Sequence, residues 1–300
     1  MATVKLCAFA DEADKMLVGQ IDALKRNGVY AIELRGIDGK NIASLTEEEA
    51  REYAKLLKDN GIEVWSLGSP LGKIDITEPR EKHEDMLRHL LKMADIFGTK
   101  RIRMFSYFVK REECEKYRDE IIDRLRALVK IADGYMLCHE NESEIYGATV
   151  DNCVDIYDSV PGLYSVFDSS NFIQWDENID YAIEKLIDRA YYIHVKDSRY
   201  SDKFIVPVGF GDGKYDKILS ELGRDATLTL EPHLFKWTGA NEGDDLKAMF
   251  SYNDYTVENK NEATFSYRDT HESFDAAVTA LKNLLTNCGY KEGENGLWKK

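Results

Sequence analysis

Four residues at the ends of four apolar runs combine the types needed to hold a cation and move a proton. "YMLCHEN" (135–141) ends near Glu140, and "LYSVFD" (163–168) ends in Asp168. "YYIHVKD" (191–197) carries His194, and "TLTLEP" (227–232) carries Glu231. One imidazole and three carboxylates, without sulfur, form a donor set for a divalent ion. An oxygen-rich shell with one nitrogen suits Mn2+ first, then Mg2+, Co2+ or Zn2+. Burying four ionisable groups together without a cation would cost roughly several kcal/mol each, so the conjunction says more than any one residue.

Such a centre polarises a carbonyl and its neighbouring hydroxyl and acidifies the carbon between them. A carboxylate can then take the proton. Its return to the other face inverts that carbon, and its return to the adjacent carbon interconverts aldose and ketose. Loss of a β-hydroxyl gives dehydration. Spacing alone leaves the three outcomes open.

More polar residues lie beside these four. His139, Lys196, Asp197 and His233 are candidates for holding substrate hydroxyls or orienting the ligands, and Arg103 joins them from "RIRMFSYF" (101–108). A structural ion pair of Lys196 with Asp197 or Glu231 fits the spacing equally well. Glu33 and Arg35 end "YAIELR" (30–35) and suit a salt bridge at the rim. Phe9, Trp65, Phe105, Phe172 and Trp237 offer an apolar wall or plain core.

The elements that must position these residues alternate. Strands are expected at 4–9, 30–35, 62–68, 101–108, 135–141, 163–168, 191–197 and 227–232. Helical spacing fills 14–28, 44–61, 79–98, 118–134, 149–160, 178–190, 214–223 and 270–289. Thr46 and Glu49 form a capping box, and Gly28, Gly61 and Gly98 stop their helices. Eight strands, each followed by a helix, predict an α/β fold, a single (β/α)8 TIM barrel over residues 1–300. A doubly wound nucleotide fold would carry a glycine fingerprint after the first strand, where "ADEADK" stands instead. "GFGDG" (209–213) follows strand seven and is expected as a flexible loop. An irregular insertion is expected at about 238–269, before the closing helix 270–289.

Composition narrows the partners. The chain has 300 residues, 43% hydrophobic and 32% charged, with a formal net charge of −15. No concentrated basic surface serves nucleic acid or an anionic membrane. The 5 cysteines show no C-x-x-C pair, so a disulfide framework is not expected, and a reducing, cytoplasmic setting fits. No basic leader with a long apolar run opens the chain, and no run reaches ~18 apolar residues.

"IELRGIDGKNI", "LGSPLGKI", "CHENESEIYG", "FDSSNF", "IHVKD" and "LEPHL" resemble the sugar (phosphate) isomerase/epimerase family of the xylose isomerase-like TIM barrels. The likeness runs over about residues 3 to 235. It implies Glu140, Asp168, His194 and Glu231 as metal ligands. It also implies that Glu140 and Glu231 exchange protons with the substrate through an enediolate. Where the epimerases carry a histidine three residues after the aspartate ligand, this chain has Asn171, a substrate-binding position by the same match. Where they carry an arginine six residues after the histidine ligand, it has Tyr200. The expected partner is a carbohydrate, with a free sugar or cyclitol ahead of a phosphorylated one because no Arg/Lys cluster appears in the sequence. Such barrels often form homo-oligomers. A lyase or dehydratase is the runner-up, and a sugar-binding protein without turnover a third reading. The related repair endonucleases are disfavoured by 6 histidines and the negative charge.

Overall fold

The computed structural model describes residues 2–234, 265 and 267–300. Eight parallel strands follow one another: β1 (Thr3–Ala8), β2 (Ala31–Leu34), β3 (Glu63–Leu67), β4 (Arg101–Met104), β5 (Met136–Glu140), β6 (Tyr164–Asp168), β7 (Ala190–Val195) and β8 (Ala226–Leu230). Each pairs with the next, and β8 returns to β1 with Val4 opposite Ala226 and Ala8 opposite Leu230. The sheet is therefore a closed barrel, as expected. The one strand that falls well short is β4, expected to run to 108. Beyond Met104 the chain bonds instead to the loop after β3, with Phe105 N–H donating to Leu71 O at 2.8 Å and Tyr107 N–H to Gly72 O at 3.0 Å, and it takes φ = 68° at Tyr107.

Helices wrap the outside, apart from the short α6 beside the mouth: α1 (Leu17–Arg26), α2 (Glu47–Asp59), α3 (Glu81–Phe97), α4 (Cys114–Ile131), α5 (Val150–Ser159), α6 (Ser169–Gln174), α7 (Ile179–Leu186), α8 (Tyr215–Glu221) and α9 (Thr270–Asn287). Local chemistry sets their ends. Thr46 and Glu49 close the capping box of α2, and Gly98 takes φ = 74° to end α3. Thr149 and Asn178 cap α5 and α7 through their side chains. The short α6 was not expected; Asp168, the last residue of β6, caps it by accepting from Asn171 N–H at 2.9 Å. β9 (Leu297–Lys299), also unexpected, adds an antiparallel strand to the lower part of β1, with Thr3 opposite Lys299.

Strand alternation divides the interior in two. Leu6, Ile32, Ile102, Leu137, Phe167, Ile193 and Leu228 belong to the large apolar layer shared with the helices. Cys138, Val166 and Tyr192 form a separate small cluster inside the barrel. Two residues further along these strands come Glu140, Asp168 and His194. The inward face thus turns from apolar to charged at the C-terminal mouth, the end where barrels of this kind place their chemistry. The expected insertion lies outside the described residues apart from Phe265 and 267–269, and so does Trp237.

Candidate metal centre

Four neighbouring strands deliver one acid or imidazole each to the mouth. Ligand atoms of Glu140, Asp168, His194 and Glu231 all lie within 4.8 Å of one another, and all four residues are buried. The pairing explains the convergence, since Asp168 sits opposite His194 in register. His194 Nδ1 lies 2.9 Å from Glu140 Oε1 and 3.2 Å from Glu231 Oε2. Its Nε2 faces the other way, 3.2 Å from Glu33 Oε2.

Cations surround the acids. Arg103 Nη1 donates to Glu140 Oε2 at 3.1 Å and lies 3.7 Å from Glu231 Oε1. Lys196 Nζ is 3.0 Å from Asp168 Oδ2 and 3.5 Å from Glu231 Oε2. Arg35 Nη1 donates to Glu231 Oε1 at 2.9 Å, while its other nitrogens hold Asp11 and Glu12. His233 Nδ1 lies 2.9 Å from Glu12 Oε1, and its Nε2 is 3.5 Å from Glu231 Oε1. Glu12, Glu231 and His233 form a second trio with donor atoms close together, but the Arg35 guanidinium already binds both of its carboxylates.

The protein's own charges shift these groups strongly. Burial works against the His194 imidazolium, but Glu140, Glu33 and Glu231 outweigh it and hold its pKa well above the ordinary value. Burial pushes Asp168 up to about 6, against the pull of Lys196 and with the repulsion of Glu140 and Glu231. Burial also opposes the Glu231 carboxylate, yet Lys196, His194 and His233 keep its pKa well below the usual range.

The donor set fits a divalent ion. Asp168 Oδ2 and Glu231 Oε2 are buried and accept no aligned hydrogen bond, although Lys196 is close to both. Buried carboxylate oxygens left in that state are costly, and a coordinated cation would satisfy them. Glu140, Asp168, His194 and Glu231 are the residues that would hold it.

The remaining polar candidates divide between the mouth and the outer face. Arg103, Lys196 and His233 lie in the cluster. Asn171 donates to Asn141 O at 2.8 Å and to Glu140 Oε1 at 3.3 Å, so it braces Glu140. His139 turns away, with Nδ1 3.1 Å from Tyr157 Oη in the barrel–helix layer, where burial drives its pKa down to about 3. Asp197 also leaves the mouth. Its carboxylate accepts from Ser198, Gly209, Gly211 and Gly213 N–H groups at 2.9, 2.9, 3.1 and 2.9 Å. "GFGDG", expected as a flexible loop, is thus wrapped around a buried anion. Glycine is required there, because a Cβ on Gly211 would lie 2.2 Å from Asp197 Oδ1. The period-two pattern carries the reason for both departures: with Glu140 and Lys196 inward, His139 and Asp197 must point outward. Lys196 pairs with Asp168 and Glu231, not Asp197.

Among the aromatics, Phe9 stands edge-on to His194 at 5.3 Å and lies under Arg35 and Arg103 at 4.5 and 5.0 Å. Phe105 faces Arg103 at 4.8 Å. Trp65 belongs elsewhere, stacked on Arg101 at 3.6 Å, and Phe172 packs on Phe167. Glu33 and Arg35, expected as a salt bridge at the rim, take different partners: Arg35 binds Asp11, Glu12 and Glu231, while Glu33 binds Tyr192 and His194. Glu12 and Asp11 were the misses, two acids that follow β1 without any pattern.

Comparison with known proteins places the fold. The curated relative DegV domain-containing protein TTE1491, from Caldanaerobacter subterraneus subsp. tengcongensis, is 23% identical over 156 residues, 51% of this chain and 54% of that protein. The chain thus spans about half the length of that relative. AsbF of Bacillus anthracis, described as the probable 3-DHS dehydratase involved in petrobactin synthesis, superposes with a TM-score of 0.65 at 18% identity, over 94% of this chain and 99% of that one. The IOLI protein, solved with bound zinc, gives 0.66 at 17% identity over 94% and 98%. D-psicose 3-epimerase from Clostridium cellulolyticum H10, solved with D-tagatose, gives 0.63 at 15% identity over 94% and 99%. At these identities the likeness concerns the fold. No helix among the described residues is long and apolar enough to cross a membrane. The family model for xylose isomerase-like TIM barrels matches residues 21–249, and the chain belongs to that family.

Proposed function

We propose that the protein is a divalent-metal-dependent isomerase or epimerase of a sugar, working by proton transfer between carboxylates and the carbon beside a carbonyl. One observation carries this reading: Glu140, Asp168, His194 and Glu231 converge at the C-terminal mouth of the barrel with donor atoms within 4.8 Å. A bound divalent ion, Mn2+ before Mg2+, Co2+ or Zn2+, would supply Lewis acidity toward a carbonyl–hydroxyl pair.

The chain's own residues do the rest. Glu231 is held as a carboxylate by Lys196, His194 and His233, the state a base must be in. Glu140, fixed by Arg103 and Asn171, is the second proton-carrying carboxylate. Arg103, Lys196 and His233 can donate to substrate oxygens. Each of these cations already faces a carboxylate, so an uncharged sugar or cyclitol suits the site better than a sugar phosphate. Phe9 and Phe105 bound the polar cluster on its apolar side.

A lyase or dehydratase is the second reading, favoured by one specific observation. The two side chains expected of an epimerase are replaced, and their substitutes are tied up. Asn171 braces Asn141 and Glu140, and Tyr200 donates to Glu177 O and accepts from Ile179 N–H. In that case Lys196, beside Glu231, is the group placed to assist a departing hydroxyl.

The test is exchange of substrate C–H protons with D2O, followed by NMR over a panel of ketoses, sugar phosphates and inososes. Exchange lost with chelator and restored by Mn2+ is expected, and the labelled carbon names the reaction. An enone product would select the lyase. No exchange from any compound by a metal-loaded protein would sink both readings.

A further inference from the structure

Glu33 is fully buried inside the barrel, yet it belongs to no candidate ligand cluster among the described residues. It comes from β2, while His194 comes from β7. Those strands are separated by β8 and β1 around the barrel wall, so the two side chains meet across the interior. Of the inward positions around it, Cys7, Cys138 and Val166 are small or apolar and buried, while buried Arg103 is charged and favours the Glu33 carboxylate. A buried carboxylate in such a layer costs stability that an aliphatic side chain would not, and Arg103 offsets only part of that cost. Structural packing therefore does not account for it, and its hydrogen bonds do. Glu33 Oε1 accepts from Tyr192 Oη at 2.8 Å, and Oε2 lies 3.2 Å from His194 Nε2. Tyr192 and His194 are two apart on the same strand, so one carboxylate spans both inward-facing rings.

The direction of the His194 ring follows from this contact. With Nε2 held by Glu33, Nδ1 is the nitrogen left facing Glu140 and Glu231, at 2.9 and 3.2 Å. A metal-binding imidazole whose other nitrogen donates to a carboxylate is fixed in ring orientation and in the position of its remaining proton. We propose that Glu33 is the positioning residue of the metal centre, holding His194 Nε2–H so that Nδ1 is the metal-binding nitrogen, with Tyr192 holding Glu33 in turn. The inference rests on the metal-site reading above.

Two measurements on the full chain test it. In protein stripped of metal and loaded with 113Cd2+, 15N NMR shows cadmium coupling on Nδ1 of His194, with the proton on Nε2. Coupling on Nε2 would overturn the proposal without touching the metal reading. Titration calorimetry with Zn2+ and with Mn2+ then compares wild type, Glu33→Gln and Tyr192→Phe, each checked for an unchanged circular dichroism spectrum. Glu33→Gln keeps the volume and removes the charge, and is expected to weaken metal binding about tenfold or more. Tyr192→Phe is expected to weaken it by less. If folded Glu33→Gln binds as tightly as wild type, Glu33 does not position the ligand. Wild type that takes up no metal would overturn this proposal and the metal reading together, whereas metal binding without substrate turnover would leave this one standing.

Discussion

Lys196 Nζ lies 3.0 Å from Asp168 Oδ2, yet that oxygen accepts no aligned hydrogen bond. The ammonium compensates the acid's charge without saturating its lone pairs. It would therefore stand beside a bound metal ion as a neighbour and compete with it only through repulsion.

Lys196→Met should separate binding from turnover. Metal affinity is expected to stay the same or rise, since a nearby cation has gone. The rate constant kcat/KM should fall about 100-fold or more, equivalent to about 3 kcal/mol of transition-state stabilisation. Calorimetry and steady-state kinetics on one preparation check both. A variant of full activity removes Lys196 from the chemistry.

Glu231→Gln should abolish solvent-proton exchange, because an amide cannot take the proton. Its neighbours Arg35, Lys196 and His233 would lose a shared counter-charge, so some loss of thermal stability is also expected. Wild-type exchange in D2O would remove Glu231 from the catalytic role.

Asp197 predicts a structural phenotype with little direct effect on metal. Asp197→Ala leaves the N–H groups of Gly209, Gly211 and Gly213 without this acceptor, at a cost of about 2 kcal/mol or more. Gly211→Ala should be comparably damaging, since its Cβ would meet the carboxylate. Urea unfolding measures both. If neither shifts the midpoint, the loop is not anchored as described.

His83 gives a pH signature remote from the mouth. Burial and the nearby Arg124 lower its pKa from the ordinary 6.5 to about 4, and neither ring nitrogen has a hydrogen-bond partner. Above pH 6.5 the ring is neutral in both folded and unfolded chains. As pH falls from there toward 4, the unfolded chain binds a proton that the folded one refuses, so stability declines. The slope from this group cannot exceed about 1.4 kcal/mol per pH unit. His83→Leu should flatten the wild-type decline in urea midpoint between pH 7 and 4.5. An unchanged pH profile would show that His83 titrates normally.

The barrel was legible because its cause is local: each strand–helix alternation stands in a short window, and Thr46 with Glu49 or Gly98 marks an end without outside help. The convergence of Glu140, Asp168, His194 and Glu231 was legible because they sit at equivalent ends of successive strands. Alternation could also have sorted His139 and Asp197 away from the mouth, had each strand's inward parity been carried past its last apolar residue. Arg103 and Lys196 were legible as rim candidates, and so was a Lys196–Glu231 pair. The other shared acids could not be read this way: Arg35 and Lys196 directly follow β2 and β7, Arg103 lies on β4, and Arg35–Glu231, Arg103–Glu140 and Lys196–Asp168 meet only once the sheet is closed. The same holds for Glu33, 161 positions from His194. Asn171 turned inward because Asp168 caps a six-residue helix too short to announce itself by periodicity.

Closure of the barrel sets an order of events during synthesis. The seam joins Val4 to Ala226, so the first of the eight strands to be made waits for the last before the sheet is complete. Contacts that distant in sequence form late, after local units have condensed. Glu140, Asp168 and His194 can draw together from adjacent strands earlier. Glu231 is added only as the seam is laid, and Glu33 reaches His194 only across the finished interior. A nascent chain stalled before β8 would thus expose a partial acidic mouth without its full donor set, and any metal would meet the full set only in the closed barrel.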